Sequence, residues 1–378
     1  MSTSDPATEA LSALRAGELQ QARVLLVEAL ESNPERLDLQ YSLAVTQLDL
    51  GEPEVALPLI LDAEKRARAM ADESAAALLP QLVLARASAL QDLDDAGGAE
   101  ASFMELLTHE PDNPRARNGL GHLLLAWGEW DRGLTQLDEY LADGADAPEV
   151  LDATTSFVDA ARRFRNRDLH PRNFLEAHRE SYVEFFDHHA ERMQSQGWWA
   201  EAARMIKDDG GNLVPRIPEG ARPYAGIRED LVHPESGQPG LIGEQPMQVA
   251  LADYEPLAMA PVLVDWPDTV FPFHVSSQCP WNHLKLQVRM SRADAVDELD
   301  AVIGDWYRSG FEGAFGSNER GYFHQISPPH QAGPDRVAYH LDCGRADLGA
   351  IDDLLKRLDV LHARSPVMQL VLGRGYLR

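Results

Sequence analysis

The chain has 378 residues, enough for two or three domains, and its 44 % hydrophobic and 25 % charged content is that of a globular protein. Its net charge is −27, and residues 1–150 carry 10 Lys/Arg against 28 Asp/Glu. Such a surface repels phosphate backbones and anionic lipid, so no nucleic acid and no membrane are expected as partners, and a basic protein is favoured. No apolar run approaches the roughly 20 residues of a membrane-spanning helix. The N-terminus MSTSDPATEA has neither a basic start nor an apolar stretch, and Cys279 and Cys343 form no disulfide framework, which together lead us to expect a cytoplasmic protein.

The N-terminal part repeats itself. Gly17, Gly51 and Gly128 each precede a glutamate, and Asp94 takes the same place before Asp95, at steps of 34, 43 and 34 residues. Ala22, Ala56, Ala99 and Gly133 follow the same steps, as do Leu26, Ile60, Phe103 and Leu137. Small residues Ala10, Ala44, Ala87 and Gly121 precede the turns by seven, and Pro34 and Pro111 close two units. Each unit reads as two amphipathic helices with a turn between them, and neither hairpin can bury its apolar face without a stacked neighbour.

This pattern resembles the tetratricopeptide repeat, whose period is 34. The match covers roughly residues 3–146, with an insertion of about nine residues near 70–79 and with most consensus aromatic positions taken by Leu. The resemblance implies a solenoid of four hairpins that binds a partner polypeptide along its concave side, lined by the first helix of each hairpin. The residues expected there are Tyr41, Val45 and Leu48, then Leu84, Ser88 and Gln91, then Asn118, His122 and Leu125, with Leu11 and Leu14 in the first unit. The groove lacks the paired Lys and Asn with which some members clamp a terminal carboxylate.

Beyond the repeats, residues 149–165 have helical spacing and are expected to cap the last hairpin, giving a helical domain over 1–168. A long helix is expected within 169–208, with Gln196-Gly197 as a break point. It carries Glu184 and His188 at i, i+4, a weak metal pair, beside His178, His189 and Glu191. Residues 209–247 hold six Pro and seven Gly and read as a linker or strap.

From 248 to 378 the texture becomes α+β. Short β-like runs fall at 248–254, 261–266 and 270–276. His283–Met290 alternates strictly, helix 292–308 follows, then strands at 322–327 and 336–343, helix 347–362 and strand 367–372. The order β-α-β-β-α-β resembles the ferredoxin-like plait. In such a plait Lys285, Gln287, Arg289, His340 and Asp342, with Gln369, share the sheet face away from the helices, which makes Lys285, Arg289, His340 and Asp342 a candidate ligand face. Cys343 alternates onto the helix-packed face, and Cys279-x3-His283 is too short a motif to define zinc.

No glycine-rich phosphate loop, nucleophile elbow, H-E-x-x-H or C-x-x-C is present, so no motif calls for catalysis, a metal or a cofactor. The reading is a cytoplasmic adaptor or scaffold of bacterial composition that binds a protein through the groove. The C-terminal domain is the candidate surface for homo-oligomers. The alternative is an enzyme or small-molecule sensor on the C-terminal domain, with the repeats recruiting its protein substrate.

Overall fold

The computed structural model describes residues 5–70, 73–166, 171–194, 256–257, 259–311, 314–315 and 325–377, together with the backbone of short strands between 199 and 240. The chain divides into two compact units, one of 1–124 with 129–151 and one of 125–128 with 152–377.

Up to Asp143 the chain forms four helical hairpins: α1 (Pro6–Arg15) with α2 (Leu19–Ser32), α3 (Leu37–Asp49) with α4 (Pro53–Ala69), α5 (Glu73–Asp92) with α6 (Ala96–His109), and α7 (Pro114–Ala126) with α8 (Trp130–Asp143). The intra-hairpin turns are built alike. Gly17, Gly51, Asp94 and Gly128 all have positive φ, from 59° to 77°. In each, the N–H of that residue donates three residues back and the next N–H donates five back, for example Gly51 to Leu48 and Glu52 to Gln47, the pair of bonds of a Schellman cap. The small residues sit where the helices cross. Ala10, Ala44 and Ala87 are fully buried, and a Cβ on Gly121 would lie 2.6 Å from Leu137 Cγ. Leu26, Ile60, Phe103 and Leu137 fill the core between them.

From Glu73 onward the insertion is helical. α5 has 20 residues against 13 in α3 and α7, and Pro80 stands inside it at the place where Pro114 opens α7. The helix thus runs two turns upstream of the point where a regular repeat begins, through a proline that removes one backbone bond. Four charges tie this hairpin to α4. Arg86 pairs with Glu64 and Glu105 at 2.5 Å each and donates to Ser102, while Arg68 pairs with the same two carboxylates. Burial alone would raise the Glu105 carboxyl, but the bonds from Arg68 and Arg86 outweigh it and hold the group below its ordinary range.

The expected cap, α9 (Pro148–Asn166), belongs from Asp152 onward to the second unit. Its apolar side is used there, since Phe164 meets Phe174 of α10 (Pro171–Gln194) edge-on, ring centroids 5.1 Å apart. α10 is fastened in turn to the C-terminal part by Arg172–Asp352 and by Arg179 Nε donating 2.7 Å to the Ala346 carbonyl. The helix expected within 169–208 ends at Gln194, beside the expected break point at Gln196-Gly197. Trp199–Arg204 (β1) instead pairs antiparallel with Ile227–Val232 (β4), which lies inside the expected linker. The Ala- and Glu-rich 200–203 has helical propensity, and strand pairing overrides it. Ile206–Lys207 (β2) pairs with Leu213–Val214 (β3), and Pro239–Gly240 (β5) with β4. The rest of 209–247, the run 248–254, residues 322–324 and the side chains of His188, His189 and Glu191 lie outside the described residues.

The C-terminal sheet has the order β10-β11-β8-β12-β7-β6, with β9 also on β11. Its strands are Leu263–Asp265 (β6), Phe273–Ser276 (β7), Leu284–Met290 (β8), Gln325–Ile326 (β9), His330–Gln331 (β10), Arg336–Asp342 (β11) and Val367–Leu372 (β12). From β8 onward the element order is β-α-β-β-α-β, with α11 (Val296–Phe311) and α12 (Gly349–His362) as the helices and the second strand broken into β9 and β10. β11 and β12 both flank β8 antiparallel, and β7 joins β12 in parallel. Leu284, Leu286, Val288 and Met290 are fully buried on the helix side with Tyr339 and Leu370. Trp306 Nε1 of α11 donates to the Ala350 carbonyl of α12 at 2.8 Å, and Tyr339 donates to Asp300.

Candidate protein-binding groove

A cavity of about 450 Å³ opens between α3, α5 and the start of α7. Helical spacing explains its walls: Tyr41, Val45 and Leu48 fall at i, i+4, i+7 on α3, and Leu84, Ser88 and Gln91 hold the equivalent places on α5. All six are residues that the repeat register places on the concave side. Each is half-buried or, for Ser88, exposed, so each keeps surface for a ligand. The Tyr41 hydroxyl is held protonated, its pKa raised by burial and by Asp49 against the pull of Arg115. It therefore both donates and accepts at neutral pH.

The α7 wall differs from the sequence expectation. It is supplied by Arg115 and Gly119, one turn earlier than Asn118 and His122. Leu125 is fully buried, so it is core rather than groove surface. Asn118 and His122 are half-buried and do not line the cavity. Burial lowers the His122 imidazole to about 4, which keeps it neutral at physiological pH. The reason is local: Gly119 has no side chain, and the Phe103 ring occupies the space above it, 2.6 Å from where a Cβ would stand. The ring thereby joins the cavity lining. Position 119 is a small residue between Asn118 and the buried Leu120, and nothing in its spacing announces that role. Leu11 is exposed and Leu14 half-buried, both outside this cavity.

The candidate ligand face on the C-terminal sheet is occupied by the chain itself. Lys285 and His340 are register partners, as are Arg289 and Gln369, so the residues do share one face. Gln287 and Gln369 are nevertheless buried. Gln287 Nε2 donates 2.9 Å to the Gly375 carbonyl, and Leu377 packs on Val371 and Leu263, because the C-terminal segment folds back across the face. Arg289 is bonded to Asp335 at 3.0 Å. Asp342 accepts from the Gly344 N–H and from Tyr182, and the His340 ring stacks on His283 with centroids 5.1 Å apart. These groups serve packing and turn formation in this arrangement. Cys279 and Cys343 are buried thiols whose pKa burial raises, so neither is a ready nucleophile. Among the described residues no group of three His, Cys, Asp or Glu side chains is placed to hold a metal. Among the same residues no helix is long and apolar enough to cross a membrane.

Two family models, both described as tetratricopeptide repeat, match residues 8–73 and 90–156. The N-terminal part of the chain is thus a tetratricopeptide-repeat region. A search of curated proteins finds no match. Among solved structures, the MamA protein is 14 % identical, covering 43 % of this chain and 85 % of its own at a TM-score of 0.32. TTC0263, a thermophilic TPR protein of Thermus thermophilus, is 24 % identical over 41 % of this chain and 96 % of its own, TM-score 0.27. PilF of Pseudomonas aeruginosa is 18 % identical over 43 % and 84 %, TM-score 0.26.

Proposed function

We propose that the chain is an adaptor that holds a segment of another protein in the cavity between α3, α5 and α7. The observation that carries this reading is the cavity itself, lined by six residues that the repeat register points to one side. It combines an apolar floor (Val45, Leu48, Leu84, Phe103) with polar groups that fix orientation (Tyr41, Ser88, Gln91), the composition of a peptide-binding groove. The acidic excess of the repeat region favours a basic partner and predicts binding that weakens with salt. We read the C-terminal plait as ferredoxin-like from its strand order, and as the part that makes a second contact or dimerises. The two buried, unpaired cysteines fit a reducing compartment such as the cytoplasm.

The test is site-specific photo-crosslinking of the full chain in cells. A benzophenone residue at Val45 should give discrete adducts with another protein, and the same residue at exposed Val27 of α2 should not. Equal labelling from both positions, or none from Val45, would refute the groove.

A further inference from the structure

A second cavity, of about 510 Å³, adjoins the first and exists because of the insertion. Its walls are the two extra turns of α5, with Ser74, Ala75 and Leu78, then Met70 at the end of α4, and Leu37 at the start of α3. Gln81 lines both cavities, and Ser74, Leu78, Gln81, Leu84, Ser88 and Gln91 line them at successive turns, so the two hollows lie end to end as a trough along one face of α5. The lip is a packed structure: Ala75 is buried in the same apolar cluster as Leu37, Ala67 and Leu82, with Leu78 and Leu79 against it. Met70, 45 % exposed, and the half-buried Leu78 leave apolar surface facing the trough.

The charge around the trough has one sign in excess. Glu35, Asp38, Asp49 and Asp92 line it against Arg36 and Arg115, and Arg66 is bonded to Glu35 at 3.0 Å, which leaves an excess of one acidic group. Arg36 is already held by both oxygens of Asp38, at 2.8 and 2.6 Å, and that bonding raises its pKa and lowers that of Asp38. What the trough offers a ligand is therefore two apolar hollows with acidic margins. The parts of α5 that line them are centred about ten residues apart, roughly 15 Å along a helix axis.

We propose that the insertion-built lip is a second anchor site, and that the groove selects a basic polypeptide segment with two apolar side chains about 15 Å apart. This rests on the groove reading above and adds the ligand's pattern to it. A regular repeat, lacking residues 73–79 of α5, would offer the first hollow alone.

The probe is a phage-displayed library of random 16-residue peptides panned on the full chain at low salt, with recovered peptides titrated by fluorescence polarisation. The expected binders carry net positive charge and two separated apolar positions. Tyr41→Ala should weaken them tenfold or more. Met70→Ser, at a surface position, should weaken them about fivefold while leaving the melting temperature unchanged, and Leu78→Ser, which also loses packing on the cluster around Ala75, should weaken them about fivefold with a small fall in melting temperature. Replacing one of the peptide's two apolar anchors by Ala should abolish the effect of Leu78→Ser and keep that of Tyr41→Ala. If Tyr41→Ala abolishes binding while both lip variants bind normally, the second anchor is refuted and the groove survives. If neither region matters, or no peptide is recovered, both readings fall. Neutral or acidic binders refute the charge selection.

Discussion

Gly51→Ala isolates the turn that makes the repeats alike. Gly51 has φ of +74°, and a Cβ built on it meets no atom within 4 Å, so the substitution changes backbone energy alone. Holding an L-residue in the left-handed region costs about 1–2 kcal/mol, and the less flexible unfolded chain returns about 0.4–1 kcal/mol of that. The net expectation is a loss of about 1 kcal/mol. Gly17→Ala, at φ of +75° and equally open, should cost the same. Asp94→Gly is the converse, since Asp94 sits at φ of +59° in the equivalent turn. Relief of about 1 kcal/mol is offset by the similar entropic cost of a glycine, so stability should change by less than about 0.5 kcal/mol. Urea titration of the full chain followed by far-ultraviolet circular dichroism reads all three, with unchanged m-values as the check that the unfolded state is comparable. A neutral Gly51→Ala would refute the argument that these turns are one repeated left-handed cap. So would an Asp94→Gly that loses more than about 1.5 kcal/mol.

The remaining predictions concern buried groups. Arg86→Met leaves Glu64, whose side chain is 6 % exposed, short of a partner, and should cost about 3 kcal/mol. Arg68→Ala, whose side chain is 45 % exposed, should cost less than about 1 kcal/mol in the same urea assay. His178 is buried against Phe174, and burial lowers its imidazole to about 4 despite a bond to the Ser277 backbone that favours the charged form. The unfolded imidazole protonates near 6.5, so between that pH and about 4 the unfolded state binds the extra proton and stability falls with acid, by at most about 3 kcal/mol. His178→Leu should flatten this part of the pH–stability curve measured by thermal unfolding, and an unchanged curve would refute the assignment. Gly373 has φ of +97°, and a Cβ there would lie 2.6 Å from the Gln278 carbonyl oxygen. Gly373→Ala should therefore cost about 3 kcal/mol or more and expose the amides of 374–377 to hydrogen exchange.

The repeat region was legible because a solenoid is local. Gly17, Gly51, Asp94 and Gly128 recur in phase with the buried alanines, and each hairpin depends only on its neighbours. The limits of that reading are also local. Extending the register to α7 put Asn118, His122 and Leu125 on the groove, whereas Gly119 and the Phe103 ring move the wall one turn earlier. The insertion near 70–79 falls outside the repeat register, and only packing of Ala75 with Leu37 and Leu82 shows why α5 begins at Glu73. In the C-terminal domain, alternation along 284–290 places the core, since apolar and polar residues obey a period of two. The return of 373–377 over the opposite face has no period. It depends on Gly373 fitting against Gln278 and on Gln287 reaching the Gly375 carbonyl, contacts about 90 residues apart in the chain.

That covered face changes the weight of the two functional readings. A ligand site needs polar groups left over after folding, held where a ligand can reach them. On the sheet, Gln287, Arg289 and Asp342 are committed to Gly375, Asp335 and Gly344. Between α3 and α5, Tyr41, Ser88 and Gln91 border open space on an apolar floor. The sheet is the more polar surface by composition, yet its polarity is consumed internally. Among the described residues, Tyr41, Ser88 and Gln91 line an open cavity, and the insertion adds a second hollow beside it. The order of experiments follows: groove variants first on binding, and His340 variants only if a ligand for the sheet is found by other means.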